Sequence, residues 1–279
     1  MRADQALVEA GLAVSRAQAQ RLIAAGVRWR KHTDANNPAA WQLVKKNSED
    51  LPAGAQLELQ DASEAAFVSR GGLKLQGALA ATGLVVAGKF CLDVGQSTGG
   101  FTDCLLQAGA AHIVGVDVGH GQLHPHLRGH AQITALEGIN ARDLNAEDLG
   151  AQISIAAQAG FSPENAKNIL KNGLRFDLIV GDLSFISLTL VLPRLLPLLA
   201  AGGDILMLVK PQFELQPADI GRGGIVRDAG KYAQVEAKIH AACAACGLVV
   251  RAWLDSPITG GDGNREFFVH AQAGAAAPA

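Results

Sequence analysis

The sequence predicts an α/β chain in which a doubly wound, mostly parallel, Rossmann-like sheet of seven strands follows a small α+β head. Three observations lead there. Seven short apolar runs (Phe90 to Val94, Ile113 to Val118, Ile133 to Leu136, Phe176 to Gly181, Ile205 to Val209, Val249 to Leu254 and Phe267 to His270) are separated by helix-length stretches, the pattern of strands covered by helices on both faces. Hydrophobic residues make up 49% of the chain and charged residues 18%, with mean hydropathy +0.17, which excludes a disordered chain and supplies a sizeable core. The 32 glycines follow no every-third-residue period, so collagen is excluded and a fold with many tight turns is favoured. At about 150 residues per domain, a length of 279 residues suits one large domain with a small companion.

The longest apolar stretch, Ile186 to Ala201, is broken by Pro193, Arg194 and Pro197 and falls short of a membrane span. The N-terminus, Met1-Arg2-Ala3-Asp4-Gln5, turns polar at once and lacks the apolar run of a signal peptide, so a cytoplasmic protein is expected. Four cysteines are too sparse for a disulfide scaffold. Cys243 and Cys246 form a CxxC inside an alanine-rich helical stretch, and His120, His124, His126 and His130 crowd one segment interrupted by Pro125. Neither has the partners of a metal site, and no metal is expected.

The net charge is −2, but it is unevenly spread. Residues 1 to 31 carry six basic residues (Arg2, Arg16, Arg21, Arg28, Arg30, Lys31) against Asp4 and Glu9, and such a basic head attracts polyanions. Two helices are predicted there, one from Ala3 to Ala10 and one opening at Ser15, whose S-x-x-Q with Gln18 reads as a capping box. The second buries Ala19, Leu22 and Ile23 and stops at Gly26, with Arg16 and Arg21 off the apolar stripe, where both can face solvent or a phosphate backbone. Ser15, Arg16, Ala19, Arg21, Leu22, Ile23, Gly26 and Val27 resemble the S4 RNA-binding domain. Arg28 to Glu49, with Trp29 and Trp41, departs from that domain's compact strand turn.

In the body, the first run ends in Leu92-Asp93-Val94-Gly95-Gln96-Ser97-Thr98-Gly99-Gly100, a strand feeding a glycine-rich turn where a ligand can lie against backbone. Asp117, 22 residues after Gly95, stands where a carboxylate accepts ribose hydroxyls. The loop is G-x-x-x-G-G rather than G-x-G-x-x-G, so an adenosine ligand without a pyrophosphate, such as S-adenosylmethionine, fits better than a dinucleotide. Other charged residues also fall at strand ends: Asp182 closes the fourth run, Lys210 the fifth, and Glu266 opens the last. Lys74 sits on a helix before the first strand. A structural salt-bridge network is the alternative reading of these four.

Ser69-Arg70-Gly71-Gly72-Leu73-Lys74-Leu75, Asp93 to Asp103, Asp182-Leu183-Ser184-Phe185-Ile186-Ser187-Leu188, Val209-Lys210-Pro211-Gln212-Phe213-Glu214 and Asp255 to Gly260 together resemble the TlyA family. Its members join an S4 domain to an FtsJ-type methyltransferase and are often called haemolysins. The resemblance implies S-adenosylmethionine-dependent 2′-O-methylation of ribosomal RNA, at cytidine. It implies a catalytic set Lys74, Asp182, Lys210 and Glu266 and a cofactor set Asp93, Gly95, Ser97, Thr98, Gly99, Gly100, Asp117, Asn140 and Asp182. RNA contacts are implied at Arg16, Arg21, Arg28 and Arg70. The domains expected are residues 1–62, S4-like, and 67–272, the methyltransferase, with 273–279 a flexible tail. The partner implied is ribosomal RNA or a ribosomal subunit, with no obligate protein partner. Gln96 replaces a small residue, Gly138-Ile139 replaces a polar pair before Asn140, and Ala151 to Leu174 reads as an insertion. A non-catalytic RNA-binding protein and a membrane-active cytolysin are the rival functions.

Overall fold

The computed structural model describes residues 1–31, 40–60, 66–158, 163–171 and 173–274. The chain divides into two compact units, Met1–Leu73 and Lys74–Ala279.

In the first unit, helices α1 (Ala3–Glu9) and α2 (Arg16–Gly26) precede strands β1 (Val27–Arg30), β2 (Gln42–Leu43) and β3 (Gln56–Leu59). These strands form an antiparallel sheet in the order β2-β1-β3. Leu7, Ala19, Leu22, Ile23, Val27 and Trp29 make its core, so the apolar stripe read on α2 is the buried one. Ser15 caps α2, its Oγ accepting from the Gln18 amide at 3.2 Å. The Gln18 side chain also reaches beyond the capping box: Oε1 accepts from the Val14 amide at 2.7 Å, and Nε2 donates to the Phe67 carbonyl at 3.2 Å. Gln18 is buried, and a buried amide must satisfy both its ends internally. Arg16 is also less free than its place off the stripe suggests. Its Nη2 lies 3.0 Å from Oδ2 of the fully buried Asp4, which Arg2 holds as well. Much of the expected departure from the S4 turn, residues 32–39, lies outside the described residues.

Helix α3 (Arg70–Thr82) leads into the second unit. There β4 (Phe90–Val94), α4 (Gly100–Gln107), β5 (His112–Asp117), β6 (Ile133–Glu137), α5 (Ala146–Gln158), α6 (Pro163–Lys171), β7 (Phe176–Gly181), α7 (Leu188–Leu195), β8 (Leu199–Val209), α8 (Pro211–Glu214), α9 (Ala229–Ala245), β9 (Leu248–Asp255) and β10 (Phe267–Ala273) follow. All seven predicted strands are present. They form one sheet in the order β6-β5-β4-β7-β8-β10-β9, parallel from β6 to β8, with β10 antiparallel to both its neighbours. The antiparallel β10 brings Glu266, at its start, to the edge where the parallel strands end. Strand β8 begins at Leu199 rather than Ile205, because Leu199 pairs with Phe176 before a register shift carries the strand past Gly202 and Gly203 to Asp204. The segment 151–174, read as an insertion, holds the end of α5 and α6; residues 159–162 and 172 of it lie outside the described residues, as do 275–279 of the expected tail. No described helix is long and apolar enough to cross a membrane.

The chain runs β4, β5, β6 toward one edge and then returns to β7 on the other side of β4. The crevice between the ends of β4 and β7 is therefore the topological switch point, where ligands of open α/β sheets bind.

Candidate active site

A cleft of ≈ 490 Å³ opens at this switch point, lined by Gly95, Ser97, Asp117, Asn140, Asp182 and Phe185 among others. Gly95 has φ 84, and a Cβ there would stand 2.7 Å from the Asp182 carbonyl oxygen. Only glycine lets the β4 loop approach the β7 end this closely. Asp117 is fixed by two backbone donors: the Ser97 amide reaches Oδ2 at 2.8 Å and the Gly119 amide reaches Oδ1 at 2.7 Å. A carboxylate has about four acceptor sites, so each oxygen keeps capacity for a further hydroxyl. Four predicted cofactor residues, Asp93, Thr98, Gly99 and Gly100, are not among the residues lining the cleft. The open face of Gly99 is packed by Leu123 and Leu127, so this glycine serves the loop's packing.

Beneath the loop, Asp93 is completely buried, with Oδ2 accepting from the Thr102 hydroxyl at 2.6 Å; Gln96 Nε2 donates to the same hydroxyl at 2.9 Å. Asp93 Oδ1 has no hydrogen-bond partner among the described residues. Burial pushes this carboxyl up to about 7, against the Thr102 hydrogen bond and with help from the nearby Asp182 charge. Gln96 is buried too, and its side chain occupies the space over Gly115 on β5, where a Cβ would collide with it. The larger residue at position 96 is thus accommodated by a bare backbone on the neighbouring strand.

The four charged residues meet as two ion pairs. Lys74 Nζ lies 2.5 Å from Glu266 Oε2, with both side chains almost wholly buried. Burial raises the Glu266 pKa despite Lys74. Lys210 Nζ lies 2.5 Å from Asp182 Oδ1 and donates to Ser184 Oγ at 2.9 Å. Asp182 and Ser184 both line the cleft, so the second pair adjoins it.

A family model for FtsJ-like methyltransferases matches residues 67–273. The 16S/23S rRNA (cytidine-2′-O)-methyltransferase TlyA of Mycobacterium tuberculosis is 40% identical over 96% of this chain and 88% of its own length. The chain belongs to the TlyA family of FtsJ-like methyltransferases. Hemolysin A of Brachyspira hyodysenteriae is 32% identical over 97% of the chain and 99% of its own length. A Streptococcus thermophilus structure named as a hemolysin superposes with TM-score 0.68 at 34% identity, covering 98% of this chain and 88% of that one.

For a TlyA-family chain the cofactor is S-adenosylmethionine, and the cleft suits it. Asp117 is pre-oriented to accept ribose hydroxyls, and exposed Val118 with Ile139 and Ala141 offers an apolar bed for a flat base. Among the described residues Asp93 Oδ1 has no donor, and the nearby Asp182 and Asp117 charges help raise its pKa; a cationic group in the cleft, beside Asp117 and Asp182, offsets that local negative charge. Ser184, Gln122 and Phe185 went unassigned in the sequence reading. Ser97 Oγ donates to Gln122 Oε1 at 3.1 Å, and Phe185 is 88% exposed with φ 63, its ring 5.1 Å from that of Phe213. The signal for Ser184 was present, since a hydroxyl two residues beyond a strand-end aspartate stands at the same sheet edge.

Proposed function

We propose that the protein transfers the methyl group of S-adenosylmethionine to the 2′-hydroxyl of a cytidine in ribosomal RNA, with Lys210 as the residue that meets the hydroxyl. The observation that carries this is the state of Lys210. An ammonium has three N–H donors; one faces Asp182 and one Ser184, and the third, without a partner among the described residues, serves a substrate oxygen beside the cleft. The sulfonium of the cofactor supplies an already activated methyl group. The chain's own task is therefore to position the hydroxyl and take up one proton. Lys210 orients the hydroxyl and, when neutral, accepts its proton, while Asp182 and Ser184 fix the direction of Nζ. The Lys74–Glu266 pair, sealed from solvent, holds α3 against the start of β10. Asp117 and Asn140 hold the adenosine.

The head supplies RNA affinity. Residues 1–62 act as the S4-like domain and 67–272 as the methyltransferase, with Arg16, Arg21, Arg28 and Arg70 meeting phosphates. Arg28 is bound by Glu58 through two hydrogen bonds of 2.9 and 3.0 Å and lies over the Trp41 ring, so it presents a fixed guanidinium edge. The partner proposed is ribosomal RNA, free or within a subunit, and a cytoplasmic protein with no obligate protein partner is the reading that goes with it. Incubation of labelled S-adenosylmethionine with separate ribosomal subunits and free rRNA, followed by mass spectrometry, tests the proposal. Ribose-methylated cytidine is expected; methylation confined to bases, or no transfer to any rRNA, refutes it.

A further inference from the structure

We infer that Glu214 is a positioning residue for methyl transfer, fixing Lys210 through a closed ring of bonds around the end of β8. This rests on the reading of Lys210 as the group that meets the ribose hydroxyl. Glu214 ends α8, which begins directly after Lys210. It is 5% exposed, yet its carboxylate serves three donors. Oε2 accepts from the Ser187 hydroxyl at 2.5 Å and lies 3.0 Å from Lys238 Nζ, and Oε1 accepts from the Leu188 amide at 2.6 Å. Lys238 Nζ also donates to the Glu214 carbonyl at 2.6 Å, tying the residue to α9.

The path from Lys210 then closes on itself. It runs down α8 to Glu214, across two hydrogen bonds to Ser187 and Leu188, back along the chain to Ser184, and through Ser184 Oγ to Lys210 Nζ. The Phe185–Phe213 contact braces the middle of the ring. Two features make the ring depend on Glu214. A helix of four residues cannot hold its own shape, since helix nucleation is unfavourable, so the end of α8 is set by these bonds. Phe185 holds φ 63, a conformation that persists for a bulky side chain only where the surroundings impose it. The Asp182 amide, bonded to the Val94 carbonyl at 3.1 Å, anchors one end of the segment, and Glu214 anchors the other. Without Glu214 the segment is free to relax, and Ser184 leaves Lys210.

A simple cap on α7 makes a different forecast: loss of Glu214 lowers the melting temperature and leaves the rate per folded molecule unchanged. The test is single-turnover rRNA methylation by the full-length protein at saturating cofactor, at a temperature where circular dichroism shows each variant folded. Glu214→Ala is expected to slow methyl transfer about 10- to 100-fold, with cofactor Kd and rRNA KM within about twofold of wild type. Glu214→Gln, which keeps an acceptor for the Leu188 amide, is expected to recover part of the rate. Ser187→Ala is expected to cost about three- to tenfold and to add nothing further to Glu214→Ala, because both break the same ring. A folded Glu214→Ala with the wild-type rate, or Glu214→Gln no better than Glu214→Ala, overturns the inference. If Glu214→Ala does not fold, Ser187→Ala decides, and its wild-type rate overturns it. Lys210→Ala is measured alongside: a near-normal rate there refutes the reading of Lys210, whereas a slow Lys210→Ala with a fully active Glu214→Ala refutes the positioning role alone.

Discussion

The two edges of the large sheet each pair a lysine with a buried carboxylate, and the two clusters differ in how completely they are satisfied. At the edge where the parallel strands begin, Asp204 accepts from Lys89 at 3.1 Å, from His270 at 2.9 Å and from Gln272 at 2.7 Å. Burial works to raise the Asp204 pKa, but these hydrogen bonds outweigh it and hold the group below its ordinary value. At the opposite edge Asp93 keeps an oxygen without a donor among the described residues and burial lifts it to about 7, while Glu266 is lifted by burial despite Lys74. Lys210 there faces Asp182 and Ser184 beside an open cleft. A saturated cluster holds a fold together, whereas one with unused donors and acceptors is waiting for a ligand.

Breaking the saturated cluster should give the largest loss of stability. Asp204→Ala leaves Lys89 and His270 without their carboxylate, and removing one partner of a buried pair typically costs about 3–5 kcal/mol. Urea or thermal unfolding should register that loss, with the methylation rate per folded molecule unchanged. A catalytic defect exceeding the unfolded fraction would erase the distinction between the edges.

The cleft side should respond in affinity instead. Asp117→Ala removes an acceptor for ribose hydroxyls, and hydrogen bonds to a charged group are worth about 1.5–3 kcal/mol. Calorimetry should find S-adenosylmethionine bound about 10- to 100-fold more weakly, with little change in melting temperature. Normal binding would remove Asp117 from the cofactor site.

The two edges should also carry opposite pH signatures. Asp93, with its folded pKa raised from 3.8 to about 7, keeps its proton when folded and loses it when unfolded, so its contribution to stability falls as pH rises from about 4 to about 7. Glu266 acts in the same direction. Asp204 is lowered from 3.8, so its contribution is present above about pH 4 and lost as pH falls through the folded pKa. In thermal melts across pH, Asp93→Asn should flatten the decline toward neutrality and spare the acid limb. A variant that flattens neither limb, or the wrong one, contradicts the assignment.

The head sharpens the comparison at the smallest scale. Asp4 is saturated by Arg2 and Arg16, yet the Arg16 side chain remains 54% exposed, so it can brace the fold and meet a phosphate together. Arg16→Ala should lower the melting temperature, and Arg16→Ala and Arg21→Ala should each lower the salt dependence of rRNA binding by about one unit of log-log slope. Unchanged slopes in both would place RNA elsewhere.

Much of this was legible because it is local. Each of the seven strands announces itself as an apolar run, and Asp93 and Asp117 stand one residue before the end of such runs and Asp182 and Lys210 directly after theirs, so a parallel sheet carries them to one edge. What pairs with what was not legible. The partner of Arg16 is Asp4 on the preceding helix, Gln18 binds Phe67 far along the chain, and the space for Gln96 is made by Gly115 on another strand. Nothing in the spacing divided Lys74, Asp182, Lys210 and Glu266 into two pairs, because that division depends on how α3 and the antiparallel β10 meet the sheet. The register shift after Leu199 hid the first part of β8 for the same reason.

The most direct test of the undersaturated edge as the place of methyl transfer is the single-turnover rate of Lys210→Ala beside its melting temperature. Loss of a residue that orients and deprotonates the nucleophile typically costs about two to four orders of magnitude. The expected result is such a loss in a protein that melts close to wild type and binds S-adenosylmethionine normally. Folded Lys210→Ala that methylates rRNA at a near-normal rate would reduce the Lys210–Asp182 pair to a structural salt bridge like the one at the opposite edge.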